Sequence, residues 1–495
     1  MKPELTLDPE NWEDLRRLGH RMMDDMFDYL RTVRERPVWQ PFPEAVKQRL
    51  AEPVPQRGRP ALEVYEQFRR DVLPYPPGNI HPRFWGWVIG TGTPLAMLSD
   101  MLASGMNPQA AGIQEGARYV EERVIAWLAE LMGFPTDSSG LLLSGGSMAN
   151  LVALAVARQA QAGFDVRENG LGDGAPPLVV YTSTEGHSSV RKAVEVMGMG
   201  RRNLRQIPVD AEYRMRVDAL RQAIAEDRRA GRRPICIVGS GGTVNTGATD
   251  DLAALADVAR DEQVWFHVDG AFGALLTFAP ELKHIVRGLE RADSVAFDLH
   301  KWGYLPFELG CTLVRHPGLH RDTFAVAPSY LGATARGAAA GGVRFADLGL
   351  QLSRGFRALK VWMAFKTHGI ETIGRLIVQN VEQVRYLAAL VDAEPSLERL
   401  APAPLNICCF RYTAPDLDAD SLNAVNQEIL WRVQESGVAL PSHTVLDGKF
   451  AIRVANTNQR TRREDFDLLV RTVLDLGRAV VAERRPTPVT TQERV

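Results

Sequence analysis

Cysteine is scarce in this sequence, and its arrangement excludes several classes of site. Four cysteines occur among 495 residues, at Cys236, Cys311, Cys408 and Cys409. They form no CxxC pair with metal-ligand spacing, and the adjacent Cys408 and Cys409 are unlikely to bridge each other. The pattern predicts reduced thiols in a cytoplasmic protein, and a metal or redox role is the less favoured interpretation.

Long apolar runs and an excess of one charge are also missing. No stretch of about 18 apolar residues occurs, so no helix is expected to span a membrane. The first residues, MKPELTLDPENWEDLRR, are acidic and interrupted, unlike a secretory signal peptide. The formal net charge is −2, which gives no reason to expect nucleic acid or an anionic membrane as a partner.

What is present divides into stretches of different character. Apolar residues at helical spacing from Trp12 to Val33, followed by Pro-rich connections, predict an N-terminal helical arm and linker over residues 1–93. A large domain is expected over residues 94–366 and a smaller α+β domain over 367–484. The residues from 485 to 495 are expected to form a polar tail.

The middle stretch alternates between short apolar runs and helical patterns. The runs lack the alternation of a half-exposed strand, which is typical of strands buried on both faces in a mostly parallel sheet covered by helices. They are LVVYTS (178–183), ICIVGS (235–240), VWFHVD (264–269), SVAFD (294–298) and CTLV (311–314). The fold class predicted is therefore α/β, with ligands bound beyond the carboxyl ends of the strands.

A lysine and an aspartate follow two of these strands. Lys301 stands between a histidine and a tryptophan, where an amine loses its proton more readily and can attack an aldehyde. Asp269 ends another strand and is suited to hold a proton on a pyridine nitrogen. A surface lysine and a helix cap are the ordinary alternatives, but the two residues together are what pyridoxal 5′-phosphate requires.

Glycine-rich turns and a histidine complete the candidate site. The segment Ser144-Gly145-Gly146-Ser147 leads into a helical pattern, so its backbone N–H groups can receive a phosphate. It carries neither the GxGxxG nor the GxxxxGK(S/T) nucleotide signature. His187 lies at a strand–turn–helix junction, where it can stack on a pyridine ring or simply cap the helix.

Taken in order, these segments resemble the group II pyridoxal-phosphate decarboxylases over roughly residues 40–480. The matching segments are HPRFWGWV (81–88), SGGSMANLVAL (144–154), EGHSSVRKA (185–193), GGTVNTGATDDL (241–252), HVDGAFG (267–273), DLHKW (298–302), PSYL (328–331) and RVANTNQRT (453–461). The resemblance implies the fold-type I architecture of aspartate aminotransferase. It also implies an obligate homodimer with its active sites at the interface.

The resemblance also implies roles for individual residues. Lys301 matches the Schiff-base lysine, Asp269 the partner of the pyridine nitrogen and His187 the ring-stacking histidine. Tyr330 matches a catalytic-loop tyrosine that returns a proton to the substrate carbon. The other implied cofactor-binding positions are Gly146, Ser147, Thr246, Ala271 and His300.

Substrate contacts are expected from three further residues. The resemblance implies that Arg453 holds the substrate carboxylate, although a surface arginine on an edge strand is an alternative. Trp85 and Trp87 suggest an aromatic side chain, unless they pack at the arm–domain junction. Asp298 departs from the family pattern, in which an asparagine that touches the phosphate is common, and it is not expected to bind phosphate.

The function implied is decarboxylation of an L-amino acid, with an aromatic substrate favoured, to the corresponding amine and CO₂. Aldehyde synthesis on the same cofactor is one alternative, and Tyr330 argues against it because aldehyde synthases usually carry phenylalanine there. Decarboxylation of an acidic or diamino acid is another. A non-catalytic scaffold is disfavoured because Lys301, Asp269, His187 and Tyr330 are all present.

Overall fold

The structure is a computed structural model that describes residues 4–172, 174–326, 336–338 and 340–484. The helices are α1 (Trp12–Arg31), α2 (Glu44–Leu50), α3 (Ala61–Asp71), α4 (Pro94–Met106), α5 (Gly116–Met132), α6 (Gly146–Gln161), α7 (Val166–Asn169), α8 (Ser188–Val196), α9 (Val217–Arg229), α10 (Leu252–Asp261), α11 (Pro317–Phe324), α12 (Ala358–His368), α13 (Ile370–Ala393), α14 (Ala419–Glu435) and α15 (Arg463–Arg484). The strands are β1 (Phe84–Trp85), β2 (Ser139–Leu143), β3 (Leu178–Ser183), β4 (Leu204–Ile207), β5 (Arg233–Ser240), β6 (Trp265–Asp269), β7 (Ser294–Asp298), β8 (Gly310–Val314), β9 (Leu397–Arg399), β10 (Ile407–Tyr412), β11 (Leu440–Leu446) and β12 (Lys449–Ala455).

A seven-stranded sheet is built from strands between residues 139 and 314. Its order is β2-β8-β7-β6-β5-β3-β4. The pairs β4–β3, β3–β5, β5–β6 and β6–β7 are parallel, whereas β8 runs antiparallel to both of its neighbours. The predicted α/β class with a mostly parallel sheet is confirmed.

The central strands are buried along their whole length, as their unbroken apolar runs predicted. All residues of β3, β6, β7 and β8 are buried. Helices such as α6 and α10 pack against the sheet and cover it. This burial explains why the strands lack alternation, because neither face meets water.

A second, five-stranded sheet belongs to the C-terminal part of the chain. Its order is β1-β11-β12-β10-β9, and all pairs except β1–β11 are antiparallel. Helices α13, α14 and α15 pack against it. The strand β1 comes from the segment predicted to be arm and linker, so the N-terminal part of the chain completes the small sheet.

The predicted domain boundaries remain predictions, but the structure shows where the elements change. The boundary expected between residues 366 and 367 falls inside α12, and α12 meets α13 at Gly369. The tail from 485 to 495 lies outside the described residues. Arg34, just after α1, pairs with Asp465 of α15 at 2.7 Å and ties the arm to the small domain.

Three features of the described residues bear on the classes of site. None of the helices there has the length and apolarity needed to cross a membrane. No cluster of three or more His, Cys, Asp or Glu side chains within these ranges could hold a metal ion. All four cysteines are buried as free thiols.

Candidate active site

The candidate site lies where neighbouring parallel strands end. Asp269 is the last residue of β6, and Lys301 follows the end of β7 by three residues. Because β6 and β7 are parallel neighbours, their carboxyl ends meet at one edge of the sheet. A crevice at this edge is the usual ligand site of an open α/β sheet. The expectation that Asp269 and Lys301 lie at neighbouring strand ends agrees with this geometry.

Two adjoining chambers open at this edge. The first, of about 390 Å³, is lined by Ser144, Gly145, Gly146, Ser147, Met148, Asn150, His187, Ser189, Asp269, Ala271, Asp298, His300, Lys301, Phe307 and Glu308. The second, of about 260 Å³, is lined by Trp87, Val88, Glu185, His187, Ser240, Gly242, Thr243, Val244, Asp269, Ala271, Phe272 and Lys301. His187, Asp269, Ala271 and Lys301 line both chambers and therefore mark where they join.

Lys301 is paired with an acidic residue in the first chamber. Its Nζ lies 3.0 Å from Oδ2 of Asp298, which is buried. His300 lies beside the same carboxylate, with its Nε2 3.9 Å from Oδ2 of Asp298. The Nδ1 of His300 accepts the backbone N–H of Leu309, and burial lowers the pKa of His300. A neutral His300 thus lines the chamber next to the lysine.

Asp269 is a buried carboxylate held by two hydrogen bonds. Nδ2 of Asn150 donates to its Oδ2 at 3.0 Å, and the backbone N–H of Ala271 donates to its Oδ1 at 3.2 Å. Burial raises the pKa of Asp269, while His187 and Lys301 lower it. A carboxylate in this position is suited to face a protonated ring nitrogen, because such a partner offsets the cost of burying the charge.

His187 is the N-cap residue of α8 and also faces both chambers. Its Nδ1 accepts the backbone N–H of Ser189 at 3.2 Å and lies 2.8 Å from the Ser189 hydroxyl. Burial lowers the pKa of His187, so its ring is neutral near pH 7. The capping role and the proposed ring-stacking role are therefore compatible, since capping uses Nδ1 alone.

The glycine-rich turn at Gly145 and Gly146 forms part of the wall of the first chamber. Helix α6 begins at Gly146, so the N–H groups of Gly146 and Ser147 precede the first bond of the helix, and both residues line the first chamber. A Cβ on Gly146 would lie 2.8 Å from Oδ2 of Asp298, and one on Gly145 would lie 3.2 Å from His300. A larger residue would fill this cradle. The backbone N–H groups and the positive end of the helix dipole found at a helix N-terminus are what a phosphate needs.

Thr246 and Ala271 differ in their relation to the cavity. Ala271 lines both chambers, at the place where a small residue leaves room for a ring. Thr246 is buried, its hydroxyl 3.2 Å from that of Thr243, and it is not among the residues lining either chamber. Thr243 lines the second chamber instead, because the turn after β5 presents the earlier threonine to the cavity.

The two tryptophans also differ in whether they line the cavity. Trp85 is fully buried, stacks on Phe466 with ring centroids 4.7 Å apart and donates its indole N–H to Thr461. It belongs to the small-domain core and lines neither chamber, which corrects its expected contact with substrate. Trp87, two residues later, is 57% exposed and lines the second chamber.

Arg453 lies behind the wall of the second chamber rather than in it. Its Nε donates to the carbonyl of Asn245 at 3.0 Å, and its Nη1 donates to the carbonyl of Trp87 at 3.1 Å. Nη2 donates to the carbonyl of Val244. Burial lowers the pKa of Arg453 to about 10, so it stays charged near neutral pH. With these donors engaged, Arg453 holds the wall of the second chamber in place, and its expected role in binding the substrate carboxylate stays a prediction.

Some site residues were missed by the sequence patterns, and one prediction falls outside the described residues. Asn150 and Ser189 line the first chamber and bond to Asp269 and His187. Asn150 lies one helical turn after Gly146, and that spacing is the signal that could have identified it. Tyr330 lies outside the described ranges, and its role stays a prediction.

The arrangement as a whole fits pyridoxal 5′-phosphate. The glycine cradle at the start of α6 suits the phosphate, and Asp269 suits the ring nitrogen. Lys301 is the amine that faces both chambers, as attachment to an aldehyde requires. The donor set contains no metal-like cluster among the described residues, and the chemistry of each position matches one part of this cofactor.

Comparison with known proteins agrees with this geometry. The model of the pyridoxal-dependent decarboxylase conserved domain matches residues 43–413. An aromatic-L-amino-acid decarboxylase of Bacillus atrophaeus is 35% identical over 92% of this chain and 93% of its own length. A phenylacetaldehyde synthase of Arabidopsis thaliana is 30% identical over 91% and 93%. A crystal structure of Oryza sativa TDC with PLP and tryptamine has a TM-score of 0.87 at 26% identity and covers 96% of this chain and 99% of that one.

Proposed function

The chain belongs to the pyridoxal-dependent decarboxylase family, and from this premise we propose that it converts an aromatic L-amino acid to its amine and CO₂. Membership confirms the predicted family, the cofactor and the class of enzyme, a decarboxylase of amino acids. The observation that carries the aromatic assignment is the group of apolar side chains, Trp87, Val88, Val244 and Phe272, that lines the second chamber together with Lys301.

The residue roles follow from where each side chain lies. Lys301 would attach the cofactor through its aldehyde, and the turn at Gly146 and Ser147 would hold the phosphate. Asp269 would keep a proton on the ring nitrogen, and His187 would pack on the ring face. When bound, the cofactor supplies an electron sink for the pair left behind as the carboxylate departs.

Two residues are assigned the proton transfers at the substrate carbon and the amine. Tyr330 is proposed to return a proton to the carbon that loses CO₂, and Lys301 to release the amine. His187 presents Nε2 toward the chambers, because Nδ1 is engaged by Ser189. Nε2 of the neutral His187 is placed to donate a hydrogen bond to the departing carboxylate.

The walls of the second chamber support an aromatic substrate. Trp87, Val88, Val244 and Phe272 offer apolar surface to a planar side chain. Among the described residues that line this chamber, Lys301 is the only lysine or arginine, and burial lowers the pKa of His187, so a glutamate side chain would find no free cation there. Glu185 lines the same chamber and accepts a hydrogen bond from Asn245. Because a carboxylate can pair with a second amino group, a diamino acid is the alternative substrate to compare.

A panel of L-amino acids tests the substrate class. We expect CO₂ release from at least one of tryptophan, tyrosine, phenylalanine and dihydroxyphenylalanine, and little from glutamate or 2,4-diaminobutyrate. Trp87→Ala is expected to raise KM for the aromatic substrate, while Trp431→Ala, at a 49% exposed position of α14 that lines neither chamber, leaves it unchanged. Turnover restricted to acidic or diamino substrates would refute the aromatic assignment.

Product analysis separates decarboxylation from aldehyde synthesis. Relatives include phenylacetaldehyde synthases, so both outcomes occur among similar chains. We expect amine and CO₂ in equal amounts, without peroxide, because Tyr330 is present to supply a proton. Aldehyde and hydrogen peroxide as the main products would instead favour the synthase.

A variant of the attachment residue tests the cofactor assignment. Lys301→Ala is expected to abolish both the visible absorbance of the bound cofactor and amine formation. Lys360→Ala is a matched control, because Lys360 is a buried lysine that, like Lys301, pairs with an aspartate, here Asp100 at 3.1 Å. Retention of absorbance and activity in Lys301→Ala would overturn the role of Lys301.

A homodimer with the site at its interface is part of the proposal. Helix α1 buries none of its residues, and its apolar side chains Trp12, Leu15 and Phe27 are 63%, 44% and 39% exposed. Together with Leu62 and Phe68 of α3 they leave an apolar face that a second copy would cover. Light scattering should give twice the mass of one chain, and a monomer would refute this part.

The cytoplasm is the proposed location. Four buried free thiols and no disulfide among the described residues suit a reducing compartment. Recovery of the native protein with the cytoplasmic fraction of its source cells is expected, and recovery outside the cell would contradict it.

A further inference from the structure

A continuous hydrogen-bond chain runs behind the candidate site, from the core of the sheet to Asp269. The indole of Trp265 donates to the Ser294 hydroxyl at 2.8 Å, and that hydroxyl lies 2.9 Å from Nδ1 of His267. Nε2 of His267 lies 2.8 Å from Oδ1 of Asn150, whose Nδ2 donates to Asp269 at 3.0 Å. All five side chains are buried.

The direction of each bond can be worked out from the Asp269 end. An ionised carboxylate only accepts, so the Asn150 group facing it must be the amide nitrogen. The amide oxygen of Asn150 therefore faces His267, and Nε2 of His267 must carry the hydrogen. Burial lowers the pKa of His267 to about 3, so the ring holds one hydrogen and Nδ1 is bare.

The opposite end of the chain requires the same directions. An indole N–H is a donor only, so Ser294 accepts from Trp265 and its own hydrogen is free for His267. That hydrogen meets the bare Nδ1 of His267. Every donor from Trp265 to Asn150 therefore points toward Asp269, and the chain ends on the carboxylate as its final acceptor.

The amide of Asn150 also branches toward His187. Its Nδ2 lies 2.9 Å from the Ser189 hydroxyl, which lies 2.8 Å from Nδ1 of His187. Since Ser189 accepts from Asn150, its hydrogen is directed to His187, and the hydrogen of His187 is left on Nε2, on the side of the chambers. One amide thus contacts both residues assigned to the cofactor ring.

We propose that Asn150 and His267 are positioning residues that keep Asp269 ionised and oriented as the partner of the ring nitrogen. The inference rests on the proposed function and deepens it. Two hydrogens of one oriented amide serve Asp269 and Ser189, and His267 fixes which way that amide points. Replacement of Asn150 removes a donor to a buried charge, and replacement of His267 removes the hydrogen bond that orients this donor.

A purely structural role makes a different prediction. If Asn150 and His267 only filled the core, their loss would weaken binding of any ring of the same shape. If they act through Asp269, their loss weakens only the interaction with the ring nitrogen. The 1-deaza analogue of pyridoxal phosphate, which has C–H in place of that nitrogen, separates the two cases.

The experiment titrates apoenzymes with pyridoxal phosphate and with the deaza analogue and compares the two dissociation constants. In the wild-type enzyme the analogue is expected to bind more weakly. Asn150→Leu should lower that preference by about tenfold, the size expected for loss of a hydrogen bond to a charge. His267→Phe should lower the preference for pyridoxal phosphate by a smaller factor. His267→Gln keeps a donor near the position of Nε2 and should show the wild-type preference.

His320→Phe is the matched control. His320 is another buried neutral histidine with two partners, Ser139 at 2.7 Å and the Leu348 carbonyl at 2.8 Å, and it lines neither chamber. This variant should lose stability and keep the full preference for the ring nitrogen. Circular dichroism of each apoenzyme checks that the variants are folded.

The outcomes separate the inference from the proposed function. An unchanged preference in folded Asn150→Leu, or in His267→Phe if Asn150→Leu does not fold, overturns the inference. Equal weakening of both ligands shows a structural role and also overturns it. If the wild-type apoenzyme binds neither ligand and gains no visible absorbance, the proposed function itself fails.

Discussion

Oδ2 of Asp298 lies 3.0 Å from Nζ of Lys301, while Oδ1 of the same carboxylate is buried with no hydrogen-bond partner among the described residues. That free oxygen lies beside the glycine cradle, since a Cβ on Gly146 would lie 3.5 Å from it and one on Gly145 3.7 Å. The aspartate therefore neutralises the lysine and also places negative charge next to the proposed phosphate position.

Asp298→Asn is expected to tighten binding of pyridoxal phosphate. Two charges a few ångströms apart repel even when screened to an effective dielectric of about 20, and the neutral amide removes that repulsion. The dissociation constant measured by absorbance titration of the apoenzyme should fall by about tenfold, equivalent to ~1.4 kcal/mol. Unphosphorylated pyridoxal is the control ligand and should show no such gain. Weaker phosphate binding in Asp298→Asn would show that the carboxylate assists it.

Gly146→Ala tests the cradle directly. The added methyl would lie 2.8 Å from Oδ2 of Asp298, so the turn must shift away from the position that suits a phosphate. We expect the dissociation constant for pyridoxal phosphate to rise by about tenfold or more, the cost of displacing a main-chain donor to a charge. Gly105→Ala in α4 is the control, because nothing lies within 4 Å of its Cβ position. Equal binding by both variants would argue against the cradle.

The Arg354–Glu121 ion pair is expected to matter for stability. It is fully buried, its atoms are 2.5 Å apart, and Arg354 also donates to the carbonyls of Ala110 and Leu142. Arg354→Met leaves Glu121 buried without its counter-ion and should lower the free energy of unfolding by about 3–5 kcal/mol.

The exposed pair Arg375–Glu371 serves as the comparison for that stability measurement. Its side chains are 66% and 84% exposed, and such pairs contribute about 0.5 kcal/mol or less. Urea unfolding followed by circular dichroism should therefore separate Arg354→Met clearly from Arg375→Met. Similar midpoints for the two variants would contradict the prediction.

Acid should destabilise the fold through its buried histidines. Burial lowers the pKa of His320 to about 4, whereas an unfolded histidine titrates near 6.5. Below pH 6.5 the unfolded state binds more protons, so the stability contributed by neutral His320 is complete above pH 6.5 and is lost as pH falls toward 4.

His320→Phe isolates that contribution. Between pH 7 and pH 5 the wild-type enzyme should lose about 2 kcal/mol more of unfolding free energy than the variant, which has no imidazole to protonate. The variant is less stable at pH 7 because it leaves Ser139 and Leu348 without their partner. Urea titrations at several pH values measure the difference, and parallel pH profiles for the two proteins would refute the assignment.

Local patterns predicted the parts of the molecule that depend on neighbours in the chain. The run LVVYTS matches β3 residue for residue, and the run SVAFD matches β7. The lysine and the aspartate at two strand ends were also identifiable, because parallel strands bring their carboxyl ends to one edge. Strand β4 was missed, because its sequence LRQI lacks an apolar run and pairs at the edge of the sheet.

Contacts between distant segments were beyond those patterns. Trp85 and Trp87 look alike in the sequence, yet pairing of β1 with β11 buries the first and leaves the second at the cavity. Arg453 is turned toward the carbonyls of residues more than two hundred positions away. The spacing of residues in a sequence does not predict which partners an arginine side chain will contact in the fold.

The sequence alone determined the α/β class, the positions of the main buried strands along the chain and the chemical identity of the groups at their ends. Burial and alternation are local properties of the chain, so these features can be predicted from composition and spacing. Only the tertiary structure decided that Asn150 joins His267 to Asp269, that Thr243 replaces Thr246 at the wall, and that Asp298 pairs with Lys301. Those relationships depend on how α6, β6 and β7 pack together, and packing is a property of the whole fold.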